Sequence, residues 1–131
     1  MTQPELILIV EDNELNLELV RDLLQHHGYD TVEARNAADA LTLAAERCPD
    51  LILMDIQLPD VDGVRALDRL RADARTASIG VVAVTAFAMN DDRQRLLRAG
   101  FDGYLEKPID VRAFPGQVRA VLQSIRTSAS R

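Results

Sequence analysis

Leu6-Ile-Leu-Ile-Val10 runs straight into Glu11-Asp12, and Leu51-Ile-Leu-Met54 runs straight into Asp55. Each is an unbroken apolar run of strand length that stops on a carboxylate. Strands wetted on one side alternate apolar with polar residues, whereas unalternated runs belong to strands covered on both faces, as in a parallel sheet. Gly80-Val-Val-Ala-Val84, which stops on Thr85, reads the same way. Asp30-Thr-Val-Glu-Ala34 is more polar, as an edge strand should be, and Gly103-Tyr-Leu-Glu106 supplies a fifth strand ahead of Lys107-Pro108.

Helical spacing fills the intervals. Leu17, Val20, Leu23 and Leu24 make an apolar stripe entered at Asn13 as N-cap and left at Gly28. His26 and His27 close that helix, where they suit its dipole. A second helix is expected from after Asn36 to before Pro49, a third from about Val64 to Arg71, and a fourth from about Asp91 to Arg98 with Gly100 as its stop. The fifth carries Val111, Phe114, Val118, Val121, Leu122 and Ile125 at helical spacing. If it begins at Asp110, Pro115-Gly116 falls beyond its first turn and should distort it, because proline lacks an amide donor and glycine costs about 1 kcal/mol relative to alanine. Strict alternation of strand and helix predicts an α/β fold, a (βα)5 doubly wound sheet of five parallel strands with helices on both faces.

Composition bounds the rest. The chain has 131 residues, 47% hydrophobic and 27% charged, the size and balance of one domain. That domain is expected over residues 1–126, with 127–131 as a flexible tail and no output domain. A net charge of −6 argues against direct nucleic-acid contact, which relies on Lys and Arg releasing counterions from phosphates. No run approaches the ~20 apolar residues of a membrane span, and no secretory signal opens the chain, so a cytoplasmic protein is expected. The lone Cys48 can close no internal disulfide and has no histidine nearby in sequence to activate it; it reads as a packing residue.

Ligands of doubly wound sheets bind at the carboxyl ends of the strands. Four strands end there in reactive or ionisable residues: Glu11-Asp12, Asp55, Thr85 and Lys107-Pro108. Taken singly, each has an ordinary reading as turn former, helix cap or solvated charge. Together they place three carboxylates in one crevice, where mutual repulsion raises their pKa values unless a cation compensates. Oxygen donors of this kind suit a hard divalent ion such as Mg²⁺.

Over residues 5 to 126 the chain resembles the CheY-like receiver family of two-component response regulators. The resemblance rests on Glu11-Asp12, Met54-Asp55, Leu58-Pro59 with Asp62-Gly63, Thr85-Ala86 and Tyr104-Leu-Glu-Lys107-Pro108. Within the family, Glu11-Asp-Asn-Glu-Leu-Asn16, Met54-Asp-Ile-Gln-Leu-Pro59 and Thr85-Ala-Phe-Ala-Met89 look like the motifs of single-domain cell-cycle regulators of the DivK type. The resemblance implies strand order 2-1-3-4-5, a general property of this fold. It implies that Asp55 accepts a phosphoryl group from a histidine kinase or a histidine phosphotransfer protein, with Mg²⁺ (or Mn²⁺) held by Asp12, Asp55 and the Gln57 backbone carbonyl and, through a water, by Glu11. Lys107 then pairs with Asp55 and later with the phosphoryl group, aimed by a cis Pro108. Thr85 and Tyr104 form the switch, read by a protein target at the surface of the fourth helix, fifth strand and fifth helix. Arg93, Arg95 and Arg98 belong either to that surface or to an ordinary solvated face. Phe87, two residues after Thr85, should hinder an attacking water and slow self-dephosphorylation.

Three other functions fit the same residues less well. A phosphatase of the haloacid dehalogenase type needs a second aspartate two residues after the nucleophile, and that position is Gln57. A flavodoxin-like carrier needs a phosphate loop after the first strand, where Glu11-Asp12 would repel an anion. A receiver acting without phosphorylation would have lost one of the acidic pair, Asp55, Thr85 or Lys107, and all are present.

Overall fold

The computed structural model describes residues 4–86 and 90–129. Five strands and five helices alternate among the described residues: β1 Leu6–Val10, α1 Glu14–His26, β2 Asp30–Ala34, α2 Ala37–Arg47, β3 Leu51–Asp55, α3 Gly63–Ala72, β4 Gly80–Thr85, α4 Asn90–Ala99, β5 Gly103–Glu106 and α5 Phe114–Ala129. The strands form one parallel sheet in the order β2-β1-β3-β4-β5. The (βα)5 reading and the implied strand order are those of the molecule.

The unalternated runs are explained by two apolar layers. Leu8, Val10, Ile52, Met54, Val81 and Ala83 face one layer, completed by Ala37, Ala40 and Ala44 of α2, Leu67 and Leu70 of α3 and Leu96 of α4. Ile7, Ile9, Leu51, Leu53, Val82 and Val84 face the other, completed by Leu17, Val20 and Leu24 of α1 and Phe114, Val118 and Leu122 of α5. Alternate residues of one strand point to opposite faces, so covering both faces makes every position apolar. All of β3 is buried, whereas β2, at the edge, buries only Ala34.

The expected caps hold α1 and α2: Asn13 accepts from the Asn16 amide, and Asn36 accepts from the Asp39 amide at 2.8 Å. His27 is the C-cap of α1, and Gly28 follows with φ +89°, a region open to glycine. At the end of α2 the C-cap is Cys48 itself, at φ 47° and exposed to solvent. The packing role expected for it is therefore corrected: it terminates a helix in the left-handed conformation that glycine more often supplies.

The start of α5 also differs from expectation. The helix proper begins at Phe114, after a turn in which the Asp110 carboxylate accepts from the amides of Arg112 and Ala113. Pro115 thus lies in the first turn, where amides have no intrahelical acceptor, and causes no distortion. Val111, placed in the helical stripe, precedes the helix and is exposed. At its other end α5 continues to Ala129, into the stretch expected to be a tail, while residues 130 and 131 lie outside the described part, as do Phe87 and Met89. No helix among the described residues is long and apolar enough to cross a membrane.

Candidate functional site

Register carries the reactive residues to one end of the sheet. Val10 pairs with Met54, so Glu11 and Asp55 leave adjacent strands side by side. Asp55 pairs with Val84, and Thr85 with Glu106, so Thr85 and Lys107 complete a row across the same edge. Backbone bonds hold the row: the Glu11 amide donates to the Ala34 carbonyl at 3.0 Å and the Lys107 amide to the Thr85 carbonyl at 2.9 Å. The Lys107–Pro108 peptide bond is cis.

Glu11, Asp12 and Asp55 each bring a carboxylate oxygen within 4.8 Å of the others. Glu11 and Asp55 are buried and Asp12 is exposed, so the cluster opens to solvent on the Asp12 side. Lys107 Nζ donates to Asp55 Oδ2 at 2.8 Å and lies 2.9 Å from Glu11 Oε1. The Gln57 amide donates to Asp55 Oδ1 at 2.9 Å, which orients the carboxylate from its other oxygen. Glu11 Oε2 is buried and has no hydrogen-bond partner among the described residues.

A buried, unpartnered carboxylate oxygen is costly and calls for a ligand. Burial is the main reason that the Glu11 carboxyl is pushed up to about 7; the Asp55 carboxylate beside it adds to the effect and Lys107 partly opposes it. Burial alone would lower the pKa of Lys107, but its hydrogen bonds to Asp55 and Glu11 outweigh that and hold it above the ordinary lysine value. One ammonium thus serves two carboxylates while a third, Asp12, stands beside them. The donor set is all oxygen, partly neutralised and open on one side, which fits a hard divalent cation that keeps some of its water. Mutual repulsion was expected to raise the carboxyl pKa values; for Glu11 the larger cause is burial.

Thr85 is buried at the end of β4. Tyr104 is half-buried, packs against the layer beneath α4, and lies under the guanidinium of Arg93, which stands 5.1 Å from its ring centroid. Arg93 also pairs with Glu106 at 2.7 Å. Arg95 and Arg98 turn instead to Asp92 and Gln94 of their own helix, as on a solvated face. Of the three arginines, Arg93 joins α4 to β5.

The crevice is shaped by a residue quoted in the receiver motif for its identity alone. Gly63, the first residue of α3, donates its amide to the Ile56 carbonyl at 2.8 Å. A Cβ there would come within 2.9 Å of the Asp55 carbonyl oxygen and of Ile56 Cα. Only glycine lets the loop after β3 fold back this closely. Sequence reading did not assign Asp60 a role: its carboxylate reaches across to the start of α2, accepting from the amides of Ala37 at 2.8 Å and Ala38 at 3.0 Å. Local spacing carries no trace of that contact, because the partners are 23 and 22 residues away. The second partner of Lys107, Glu11, was likewise not foreseen.

The chain is similar in sequence and in fold to known proteins. Residues 7–119 match the model of the response regulator receiver domain. The polar-differentiation response regulator DivK of Brucella anthropi is 48% identical over 119 residues, covering 91% of this chain and 97% of that protein. DivK of Brucella ovis is 47% identical over 116 residues, 88% of this chain and 94% of the relative. Among solved structures, the receiver domain of a sensor histidine kinase from Pseudomonas aeruginosa PAO1 has a magnesium ion coordinated in its active-site cleft; it superposes with TM-score 0.79 at 32% identity, covering 92% of this chain and 96% of that one. A CheY-like receiver domain protein from Methanospirillum hungatei JF-1 gives TM-score 0.85 at 26% identity, covering 95% and 98%.

Proposed function

Since the chain belongs to the response regulator receiver domain family, we propose that it takes a phosphoryl group onto Asp55 from a histidine kinase or histidine phosphotransfer protein in the cytoplasm, and signals by phosphorylation-dependent protein contacts. It is a signalling protein of the DivK kind rather than an enzyme that turns over an external substrate. The observation that carries the reading is the setting of Asp55: one carboxylate oxygen bonded to Lys107 Nζ, the other to the Gln57 amide, in a cluster of three carboxylates.

An Asp55 oxygen attacks phosphorus, the bond to the donor imidazole nitrogen breaks, and an acyl phosphate remains on Asp55. Asp12, Asp55 and the Gln57 carbonyl would hold Mg²⁺, with Glu11 contributing through water. The bound ion supplies positive charge to the phosphoryl oxygens. Lys107 already stands within hydrogen-bond distance of Asp55, so its ammonium needs only to pass from the carboxylate to a phosphoryl oxygen. Thr85, at the end of the neighbouring strand, donates its hydroxyl to the same group. Tyr104 then turns inward, and the surface of α4, β5 and α5 changes for a protein target. The Arg93 contact with Tyr104 and Glu106 lies on that surface.

Intact-protein mass after incubation with a small acyl-phosphate donor, with and without Mg²⁺, tests the proposal. A Mg²⁺-dependent phosphoryl adduct in the wild type that is missing from Asp55→Asn is expected. A folded wild type that gains no adduct from the small donor or from a phosphohistidine donor would overturn it.

A further inference from the structure

Between Asp55 and α3 the chain passes through residues 56–62, the loop that carries Gln57. Both ends of this loop are held by backbone bonds. The Ile56 amide donates to the Val84 carbonyl at 3.2 Å, and the Gly63 amide closes back on Ile56 at 2.8 Å. Asp62 caps α3 by accepting from the Arg65 amide at 3.0 Å. The middle of the loop is tied to a different element through Asp60, whose two oxygens take the Ala37 and Ala38 amides at the start of α2.

The start of α2 has its own cap in Asn36, which takes the Asp39 amide. That local cap is what a helix ordinarily uses, and an exposed first turn can leave its other amides to water. Ala37, however, is fully buried, so its amide needs an acceptor from the protein. The amide of Ala37 above all, joined by that of Ala38, holds the Asp60 carboxyl below its ordinary value, so the acceptor stays charged. An exposed side chain is thus spent on a bidentate contact between a loop and a distant helix.

We propose that Asp60 is a positioning residue for the phosphorylation site: by tying loop 56–62 to α2 it holds the Gln57 carbonyl where a divalent ion at Glu11, Asp12 and Asp55 meets it. The inference rests on the reading of Asp55 as phosphoacceptor. Gln57 lies only three residues before Asp60, between the fixed end at Ile56 and the tie. Loss of the tie frees that span to sample other backbone angles, and ordering it again is then charged to ion binding. By reciprocity, ion binding tightens the tie.

The ordinary alternative is that Asp60 merely stabilises α2 by placing negative charge at a helix start. Asn36→Ala separates the two roles, since it weakens the same helix start without touching the loop. Calorimetric titration of metal-stripped protein with Mg²⁺ should show binding about 10-fold weaker in Asp60→Ala, intermediate in Asp60→Asn, which keeps one acceptor, and unchanged in Asn36→Ala despite its lower thermal midpoint. In the wild type, Mg²⁺ should slow hydrogen exchange at the Ala37 and Ala38 amides. Wild-type Mg²⁺ affinity in Asp60→Ala, or equal weakening in Asn36→Ala, overturns the proposal. If Asp60→Ala does not fold, the wild-type exchange experiment decides, and no Mg²⁺-dependent protection at Ala37 and Ala38 overturns it. A wild type that binds Mg²⁺ with this protection but gains no phosphoryl adduct overturns the phosphoacceptor reading and leaves the tie standing.

Discussion

Glu11→Gln in the metal-free protein is expected to abolish a specific pH dependence of stability. Glu11 is buried, sits beside Asp55 and has an Oε2 without a hydrogen-bond partner among the described residues, and its carboxyl is pushed up from 4.5 to about 7, chiefly by burial. Because the folded value is the higher one, the folded protein keeps a proton that the unfolded chain has lost between those two values. The stability this group contributes is therefore fully present below 4.5 and disappears as the pH rises through about 7. At 1.36 kcal/mol per unit, the whole shift corresponds to about 3 kcal/mol, most of which is lost between about pH 5 and about pH 8. Urea unfolding in a chelating buffer at those two pH values measures it. Glutamine resembles the protonated acid, so the variant should exceed the wild type by less than about 1 kcal/mol near pH 5 and by about 3 kcal/mol near pH 8. Titrations of groups that do not touch Glu11 are common to both proteins and cancel in the comparison. The raised pKa of Lys107 acts only above the ordinary lysine range and leaves this window untouched. Saturating Mg²⁺ near pH 8 should restore wild-type stability, and its affinity should fall as the pH drops below 7, because the proton and the ion compete for Glu11. Equal pH slopes in the wild type and Glu11→Gln would refute the reasoning.

Two glycines with crowded Cβ positions should respond differently. Gly63→Ala drives a methyl into the backbone at Asp55 and Ile56, so a loss of about 2 kcal/mol together with weaker Mg²⁺ binding is expected. Gly80→Ala meets the terminal methyl of Ile125, which can turn away, and should cost less than about 1 kcal/mol with Mg²⁺ binding unchanged; paired urea midpoints and metal titrations check both, and a larger loss at Gly80 would show that α5 cannot yield there. Phe87→Ala should shorten the lifetime of the phosphorylated protein, measured by following the adduct mass with time, and an unchanged or longer lifetime removes the idea that its ring hinders water.

Periodicity and strand-end chemistry were legible without coordinates because both are local. An apolar run covered on two faces must be continuous, a helix must repeat every few residues, and Asn13 and Asn36 cap helices through atoms three residues away. The alternation of these elements leads to a parallel sheet, and a parallel sheet brings every strand's carboxyl end to one edge; that is why Glu11, Asp55, Thr85 and Lys107 could be grouped in advance. The start of α5 was misplaced because Val111 has helical spacing but lies in the turn that Asp110 organises, and the chain enters the helix only at Phe114. Cys48 looked like packing because its left-handed φ leaves no mark on its neighbours in sequence.

What only the tertiary structure decided is how distant charges meet. Sequence order could place Lys107 near Asp55, yet not show that the same ammonium also serves Glu11, or that burial leaves Glu11 Oε2 without a hydrogen-bond partner among the described residues. Nor could it show Asp60 on the amides of α2. Secondary structure follows from interactions a few residues apart, whereas these contacts depend on distances of a few tenths of an ångström between separate elements. Such distances exist only once both sides of the sheet have packed.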